Sequence, residues 1–338
     1  MITTAHRFVL VTRPVGEPSR DNFRLEEVDV PEPGPGQVLL RSRYLSLDPY
    51  VRGRIGGMGS TYAGPTPIGS APPGDTVSVV IKSEDPSLSV GDVVLANIGW
   101  QTHALADARA VRKLDPAAAP VTTALGVLGM PGLTAYSGLL NIGKPRQGET
   151  VVVAAAAGPV GSLVGQLARI RGARAVGIAG GPAKIEYVGS TLGFDAAVDH
   201  RAADFATRLA AASPNGIDVY FENVGGDVFN AVFPLLNPFA RVPVCGLVSG
   251  YNKAQQGWSL PPDLLRQVLS KSLTIRGFAV TEFWEEFDRF HADVAEWIRD
   301  GKIRYREDIV DEFENTPDAF RGLLRGENLG KLIVRVSE

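Results

Sequence analysis

Residues 151–161 read VVVAAAAGPVG, and this stretch decides which fold we predict for the chain. Its apolar beginning is typical of a buried strand, and Gly158 and Gly161 follow as a turn that opens a helix. Pro159 fits the first helical position, because its missing N–H would have no intrahelical partner there. Strand, glycine turn and helix in this order are typical of a dinucleotide site, where exposed backbone N–H groups attract the pyrophosphate. Ala156 replaces the first glycine of the usual pattern, so close packing without a ligand is the alternative.

The residues after the second predicted strand, 175–179, indicate which dinucleotide binds. A protein that binds NAD usually has an Asp or Glu there, about 20 residues beyond the turn, to hold the ribose hydroxyls. This chain has Gly180, Gly181 and Lys184 instead. The glycines leave room for the 2′-phosphate of NADP, and the lysine supplies a compensating cation. We therefore predict NADP, and a solvated lysine beside an ordinary turn is the alternative.

The rest of the chain divides into regions that differ in their sequence pattern. Up to about residue 120, short β-like runs alternate with Pro and Gly, which favours an antiparallel barrel or sandwich. From Glu149 strands and helices alternate, which predicts a parallel sheet covered on both faces. The last such pair is a strand at 273–278 and an amphipathic helix at 283–299. After Gly301 the pattern returns to that of the first part, so we predict a substrate domain of residues 1–125 and 306–338 around an inserted NADP-binding domain of residues 126–305.

The composition excludes several classes of protein. The 338 residues are 44% hydrophobic and 21% charged, with a net charge of −3, so neither nucleic acid nor an anionic membrane is an expected partner. Two long uncharged stretches, 116–143 and 151–168, are interrupted by Gly and Pro, so we predict no membrane span. The N-terminus lacks the apolar stretch of a signal peptide, and a cytoplasmic enzyme is expected.

The sequence also predicts that no metal is bound. Its single cysteine, Cys245, excludes a disulfide framework and any zinc site built from several thiolates. The four histidines, His6, His103, His200 and His291, do not have the spacing of metal ligands.

Five motifs occur along the chain in the order AAAAGPVG, MPGLTAYSGL, FENVGG, CGLVSGYN and GENLGK. In order and spacing they resemble the zinc-independent medium-chain dehydrogenase/reductases, most closely the leukotriene B4 12-hydroxydehydrogenase, prostaglandin reductase and alkenal double-bond reductase branch. LSLDPYVRGRI at 45–55 is similar to the N-terminal signature of that branch. The resemblance implies an α/β fold with an N-terminal GroES-like β-barrel domain and an inserted Rossmann domain, a doubly wound parallel sheet. It also implies a homodimer.

The resemblance implies which residues bind NADPH. His200 departs from the family, which often has Tyr there; a stacking or hydrogen-bonding role and an exposed histidine without a role are both open. The implied residues are Gly158, Pro159, Val160, Gly161, Lys184, His200, Asn223, Cys245, Gly246, Leu247, Ser249, Tyr251, Phe278, Ala279, Val280 and Asn328.

The expected activity is reduction by NADPH of a C=C bond conjugated to a carbonyl, in small α,β-unsaturated aldehydes or ketones. Hydride reaches the β-carbon, and the resulting enolate takes a proton at the α-carbon. Tyr251 is the expected catalytic residue, as a hydrogen-bond donor to the enolate oxygen, with packing on the cofactor as its alternative role. Tyr50 is expected to bind substrate. The alternatives are an NADPH:quinone oxidoreductase and an NADPH-binding protein without turnover.

Overall fold

The structure is a computed structural model that describes residues 4–58, 63–253 and 260–337. Its internal contacts divide the chain into two compact units, Met1–Leu125 with Glu307–Glu338, and Gly126–Arg306. Arg306 thus lies in the second unit, whereas the sequence pattern assigned it to the first. No helix in the described part of the chain is long and apolar enough to cross a membrane.

The first unit is built mainly from antiparallel strands. A ribbon of β1 and β2 lies beside a sheet with the strand order β14-β15-β3-β4-β5-β7, in which β6 also pairs with β3. Among the strands of residues 4–58, 63–125 and 307–337, β14 and β15 alone pair in parallel, and β15 pairs with β3 through the register Val334–Leu45. The elements are β1 (Thr4–Leu10), β2 (Phe23–Asp29), β3 (Gln37–Ser46), α1 (Val51–Ile55), β4 (Thr76–Ser83), β5 (Val93–Ala96), β6 (His103–Asp107), β7 (Arg112–Lys113), β14 (Glu307–Asp311), α9 (Thr316–Arg325) and β15 (Lys331–Arg335).

An aromatic cluster forms one core of this unit. Trp100 is fully buried, and its ring lies 5.1 Å from the ring of Phe23 and 5.5 Å from that of Phe320 on α9. Phe8 contributes from β1, with its ring 6.3 Å from that of Trp100. The N-terminal ribbon and the C-terminal helix are therefore packed on one another by apolar burial, the main stabilising term in folding.

In the described residues of the second unit, six parallel strands form a sheet in the order β10-β9-β8-β11-β12-β13. The chain runs outward from β8 through β9 to β10, then returns to the other side of β8 with β11, so the switch point lies between β8 and β11. This confirms the predicted doubly wound Rossmann sheet. The elements are α2 (Met130–Ser137), β8 (Thr150–Ala154), α3 (Pro159–Ile170), β9 (Arg174–Ala179), α4 (Pro182–Glu186), β10 (Ala196–Asp199), α5 (Phe205–Ala212), β11 (Ile217–Phe221), α6 (Gly226–Val232), β12 (Leu236–Val244), α7 (Leu264–Ser270), β13 (Thr274–Gly277) and α8 (Phe287–Arg299).

The predicted amphipathic helix at 283–299 begins four residues late. Residues 280–286 form a 3₁₀ turn, in which Phe283 has a non-helical φ of −120°. The Phe283 ring packs edge-on against the ring of Phe278 at 6.1 Å, and the backbone N–H of Ala279 donates to the Glu282 carboxylate at 2.8 Å. A ring contact and a capping hydrogen bond within residues 278–283 thus accompany the later start of the α-helix.

Candidate cofactor and substrate sites

The turn between β8 and α3 has the geometry of a phosphate site. Gly158 caps the helix, and its N–H donates to the carbonyl of Ala155 at 3.0 Å. A helix leaves its first N–H groups without intrahelical acceptors, and with Pro159 first those groups belong to Val160 and Gly161. They lie at the positive end of a helix of 12 residues, so the turn suits the pyrophosphate of a dinucleotide.

Close packing explains Gly161, and backbone conformation explains why alanine is accepted at the first glycine position of the pattern. A Cβ on Gly161 would lie 2.4 Å from the carbonyl oxygen of Ala155, so only glycine lets the helix start so near the strand end. Ala156 is accepted at the first glycine position because its φ is not positive; the left-handed residue of the turn is Ala155, with φ 53°. The degenerate pattern is therefore compatible with the turn geometry.

The end of β9 carries a group of cations around two glycines. A Cβ on Gly180 would lie 2.8 Å from Nε2 of His200 and 2.8 Å from Nε of Arg201. The pKa of His200 is lowered, first by burial and then by the positive charges of Arg201 and Lys184. His200 is thus neutral at pH 7 in the free protein, and two permanent cations lie near its ring.

Arg201 lies beside these glycines, although the sequence analysis did not name it. The parallel register of β9 and β10 pairs Ala179 with Asp199, so the residues after each strand meet at the same edge of the sheet. The Asp199 carboxylate accepts the N–H groups of Gly181 at 3.1 Å and Arg201 at 2.9 Å, which fixes both turns. The signal available in the sequence was the position of Arg201 directly after His200, at the end of a predicted strand.

Asn223 lies at the switch point of the sheet. Its side-chain amide donates to the carbonyl of Ala154 at 2.8 Å and so joins the end of β11 to the end of β8. The preceding residue, Glu222, is buried, and one of its oxygens accepts the N–H groups of Val224 at 2.6 Å and Gly225 at 2.8 Å. The carboxylate thereby fixes the turn that carries Asn223.

The loop from Cys245 to Tyr251 is bound to that same turn through the backbone. The N–H groups of Cys245 and Gly246 donate to the carbonyl of Glu222 at 2.9 and 3.2 Å, and the N–H of Ser249 donates to the carbonyl of Val224 at 3.0 Å. The loop therefore follows β12 back over the end of β11, at the carboxyl edge of the parallel strands, where ligands of such folds bind.

Tyr251 closes this loop on itself. Its hydroxyl accepts the backbone N–H of Leu247 at 3.4 Å, and a Cβ on Gly246 would lie 3.5 Å from the same oxygen. The phenol oxygen therefore lies beside the backbone of its own loop.

The thiol of Cys245, the one cysteine of the sequence, keeps its proton at neutral pH. Burial raises the pKa of Cys245 to about 12, and the nearby Glu222 carboxylate adds to the increase. Burial also raises the pKa of Glu222 itself, against the hydrogen bonds from Val224 and Gly225. Cys245 thus stays a neutral thiol at neutral pH and contributes to its loop by packing.

The segment 278–280 follows the edge strand β13. The Phe278 ring lies edge-on to that of Phe221 at 6.1 Å, and its N–H donates to the carbonyl of Val244 at 3.3 Å. A Cβ on Gly138 would lie 2.5 Å from the Phe278 ring, so the second glycine of the MPGLTAYSGL motif makes room for that ring. Ala279 and Val280 are half-buried beside it.

Tyr50 belongs to the first unit, where it directly precedes α1. Nearby, the buried Lys331 donates to the Asp48 carboxylate at 2.8 Å and to the carbonyl of Leu47 at 2.7 Å. Arg52 is buried and donates to the carbonyl of Gly16 at 2.6 Å, so it has a structural role in the turn.

Asn328 also lies in the first unit, in the turn before β15. Its side-chain amide donates to the carbonyl of Gly330 at 2.8 Å. This contact shapes the turn, and cofactor binding by Asn328 stays a prediction.

Two matches to protein families cover most of the chain. Residues 6–114 match the family described as the N-terminal domain of oxidoreductase, and residues 159–297 match the family described as zinc-binding dehydrogenase. Despite the second description, residues 4–58, 63–253 and 260–337 include no group of three His, Cys, Asp or Glu side chains placed to hold a metal ion.

The chain belongs to the zinc-independent medium-chain dehydrogenase/reductase family, as its motifs predict. Among its relatives, NADPH-dependent curcumin reductase of Escherichia coli (strain K12) is 50% identical over 98% of this chain and 96% of its own length. Prostaglandin reductase 1 of Rattus norvegicus is 40% identical, with 95% of each chain covered. The crystal structure of CurA from Vibrio vulnificus in complex with NADPH is 48% identical, covers 98% of this chain and 99% of its own, and has a TM-score of 0.94.

Proposed function

We propose that this protein uses NADPH to reduce the C=C bond of α,β-unsaturated aldehydes and ketones. The observation that carries the cofactor assignment is the group of Lys184, His200 and Arg201 around the bare backbone of Gly180 and Gly181. A 2′-phosphate carries about −1.5 to −2 charges at pH 7, and cations beside glycine backbone suit it. The sequence identity of 50% to NADPH-dependent curcumin reductase and of 40% to prostaglandin reductase 1 supports the reaction class.

The side chains of the protein have to bind the cofactor, orient the substrate and stabilise the charge that develops on its carbonyl oxygen. NADPH supplies the hydride when it is bound, which is chemistry that no side chain offers. Backbone N–H groups of Val160 and Gly161 hold the pyrophosphate, and Asn223 marks the carboxyl edge of the sheet. A phenol that accepts a hydrogen bond, as Tyr251 does from Leu247, can donate its own proton at the same time. Tyr251 donates to the oxygen of the enolate.

An acceptor panel tests the proposed reaction. The protein is mixed with NADPH and a 2-alkenal, an alkyl enone or a quinone, each with and without a chelator, and the products are identified. We expect saturated aldehyde and ketone products and no effect of the chelator. Quinone reduction alone would assign the alternative oxidoreductase activity, and binding of NADPH without oxidation by any acceptor would refute enzymatic function.

The role of Tyr251 is tested separately. Tyr251→Phe removes only the hydroxyl, so we expect turnover of the enone to decrease while the Kd of NADPH changes little. Equal turnover of the variant and the wild type would remove this hydroxyl from the mechanism.

We also propose that the protein is cytoplasmic, which agrees with its single cysteine. We further propose that it is a homodimer. β13 is an edge strand with all four residues exposed, and exposed edges of this kind pair readily with another chain. On α7, Leu264 and Val268 pack on the core, whereas Leu265 and Leu269 are 80% and 83% exposed. A second copy would cover these leucines.

Light scattering after size exclusion measures the oligomeric state. We expect a dimer for the wild type and a monomer for the Leu265→Glu, Leu269→Glu double variant. Val90→Glu is the control, because Val90 is an equally apolar residue, 68% exposed, in the first unit. A monomeric wild type would refute the homodimer.

A further inference from the structure

Glu222 is a buried acidic residue in the turn after β11. It is 1% exposed, and one oxygen of its carboxylate, Oε1, accepts the N–H groups of both Val224 and Gly225. Gly225 and Gly226 have left-handed backbone conformations, with φ 73° and 58°. Two successive glycines give a chain many accessible conformations. The carboxylate therefore restricts a turn that its own sequence leaves free to vary.

The backbone of this turn also holds the loop that follows β12. The carbonyl groups of residues 222–224 all accept N–H groups from residues 245–249, over distances of 2.9 to 3.2 Å. The fit is close, because a Cβ on Gly226 would lie 3.0 Å from Oγ of Ser249, and one on Gly246 would lie 3.4 Å from the carbonyl oxygen of Asn223. The loop thus takes its position from the turn that Glu222 holds.

The turn and the loop lie on one side of the switch point of the sheet. Strands β8, β9 and β10 follow one another on one side, and β11, β12 and β13 on the other. In a doubly wound sheet of this kind, each half binds one mononucleotide of a dinucleotide. The glycines and the lysine after β9 assign the adenosine and its 2′-phosphate to the first half. The nicotinamide half of the cofactor is therefore expected over the ends of β11 and β12.

We propose that Glu222 is a positioning residue for NADPH, whose carboxylate holds the turn 222–226 and, through it, the loop 245–249 in the arrangement that receives the nicotinamide half. Because Glu222 is buried, it acts through these two segments and not by contact with the cofactor. The proposal rests on the NADPH-dependent function proposed above. Loss of the carboxylate should weaken binding of the nicotinamide half and leave binding of the adenosine half unchanged.

Two ligands separate the halves of the cofactor. 2′,5′-ADP carries the adenosine and the 2′-phosphate without a nicotinamide, and calorimetry measures its Kd beside that of NADPH. Glu222→Met keeps a side chain of similar volume but has no carboxylate oxygen for Val224 and Gly225. We expect the Kd of NADPH to rise about 10- to 100-fold and that of 2′,5′-ADP to change by less than about twofold. Equal weakening of both ligands, or an unchanged Kd of NADPH, would overturn the proposal.

Glu222→Gln shows whether the hydrogen bonds are the cause. Its amide oxygen can accept the same two N–H groups. Its amide nitrogen replaces Oε2, which is buried and has no hydrogen-bond partner in the described residues, so no hydrogen bond is broken. We expect the Kd of NADPH to stay within about threefold of that of the wild type. If Glu222→Gln bound NADPH as weakly as Glu222→Met, a role through these hydrogen bonds would be wrong.

Hydrogen exchange measured by mass spectrometry locates the effect in the protein. In Glu222→Met without ligand, peptides that cover 222–226 and 245–249 should exchange faster than in the wild type, whereas a peptide that covers 158–162 should not. Faster exchange at 222–226 alone would contradict the proposed link to the loop. If Glu222→Met does not fold, the wild type decides, since NADPH should protect both segments and 2′,5′-ADP neither. Segments that NADPH leaves unprotected would then overturn the proposal.

Asp218→Ala is the matched control, because Asp218 is also a hydrogen-bonded carboxylate on β11. It lies near the other end of the strand and accepts the N–H of Thr150 at 2.8 Å and the side-chain amide of Asn237 at 2.8 Å. Its loss should leave both Kd values unchanged, and thermal unfolding shows whether each variant is folded. If the wild type does not bind NADPH, the proposed function fails; if it does and Glu222→Met binds NADPH equally well, only this inference fails.

Discussion

Removal of the guanidinium of Arg201 is the perturbation that tests the cofactor assignment most directly. A Cβ on Gly180 would lie 2.8 Å from Nε of Arg201, and one on Gly181 would lie 3.6 Å from its Nη1. The guanidinium therefore borders the volume that the missing side chains leave open. Arg201→Ala removes this cation, and Lys184→Ala removes the one that the sequence predicts.

The magnitude follows from the chemistry of the contact. A hydrogen bond to a charged group contributes about 1.5–3 kcal/mol, which corresponds to about 10- to 150-fold in Kd. NADH has no 2′-phosphate, so its Kd should change by less than about twofold. The pKa of His200 is lowered by burial and by the neighbouring cations, so at pH 8 the imidazole is neutral and does not replace the lost charge.

Titration of the wild type and the two variants with NADPH and NADH at pH 8 provides the measurement. At this pH the phosphate is a dianion, because its second pKa is about 6. Arg174→Ala is the control; Arg174 starts β9 at the opposite end of the strand, where it donates to the carbonyl of Ala212 at 3.2 Å. Equal weakening of both cofactors, or an unchanged Kd of NADPH in Arg201→Ala, would refute the 2′-phosphate site.

Four further predictions concern buried groups and the strained turn. Burial raises the pKa of Glu222, so the wild type should lose stability as the pH rises from about 4.5 through that pKa, whereas the neutral Glu222→Gln variant should not. Urea unfolding curves at a series of pH values measure the free energy of unfolding of both proteins. The same pH dependence of that free energy in both would contradict this prediction. With a thiol pKa of about 12, only about one Cys245 side chain in 10⁴ is a thiolate at pH 8, and the thiolate is the form that iodoacetamide alkylates. Mass spectrometry should therefore detect alkylation of the protein in urea but not of the native protein. Ala155→Gly relieves a left-handed backbone conformation, φ 53°, and should stabilise the protein by about 0.5–1 kcal/mol in the same unfolding assay, whereas destabilisation would show that the methyl group packs. Lys331→Met leaves the buried Asp48 carboxylate without its cation and should cost about 3–5 kcal/mol, and a loss under about 1 kcal/mol would mean that water replaces the ammonium.

Local patterns were sufficient for the core of the second unit. The run at 151–161 predicts strand, turn and helix because apolar periodicity, glycine and proline act on neighbouring residues only. Gly180, Gly181 and Lys184 indicate NADP for the same reason, since all lie within one turn of the end of β9. The segment at 280–286 shows the limit: it departs from the α-helix that its pattern predicts, and the Phe283 ring lies against that of Phe278, five residues earlier.

Contacts between residues far apart in sequence were decided by tertiary structure alone. Arg201 reaches Gly180 because β9 and β10 pair in one particular register, and Cys245 reaches Glu222 because β11 and β12 do. Strand pairing depends on the burial of whole sheet faces, and a shift of one residue would turn every side chain to the other face. The amino-acid sequence by itself therefore determined the class of fold and the chemistry at the ends of single elements. Only the folded chain decided which distant side chains complete each site, because that choice is made by long-range packing.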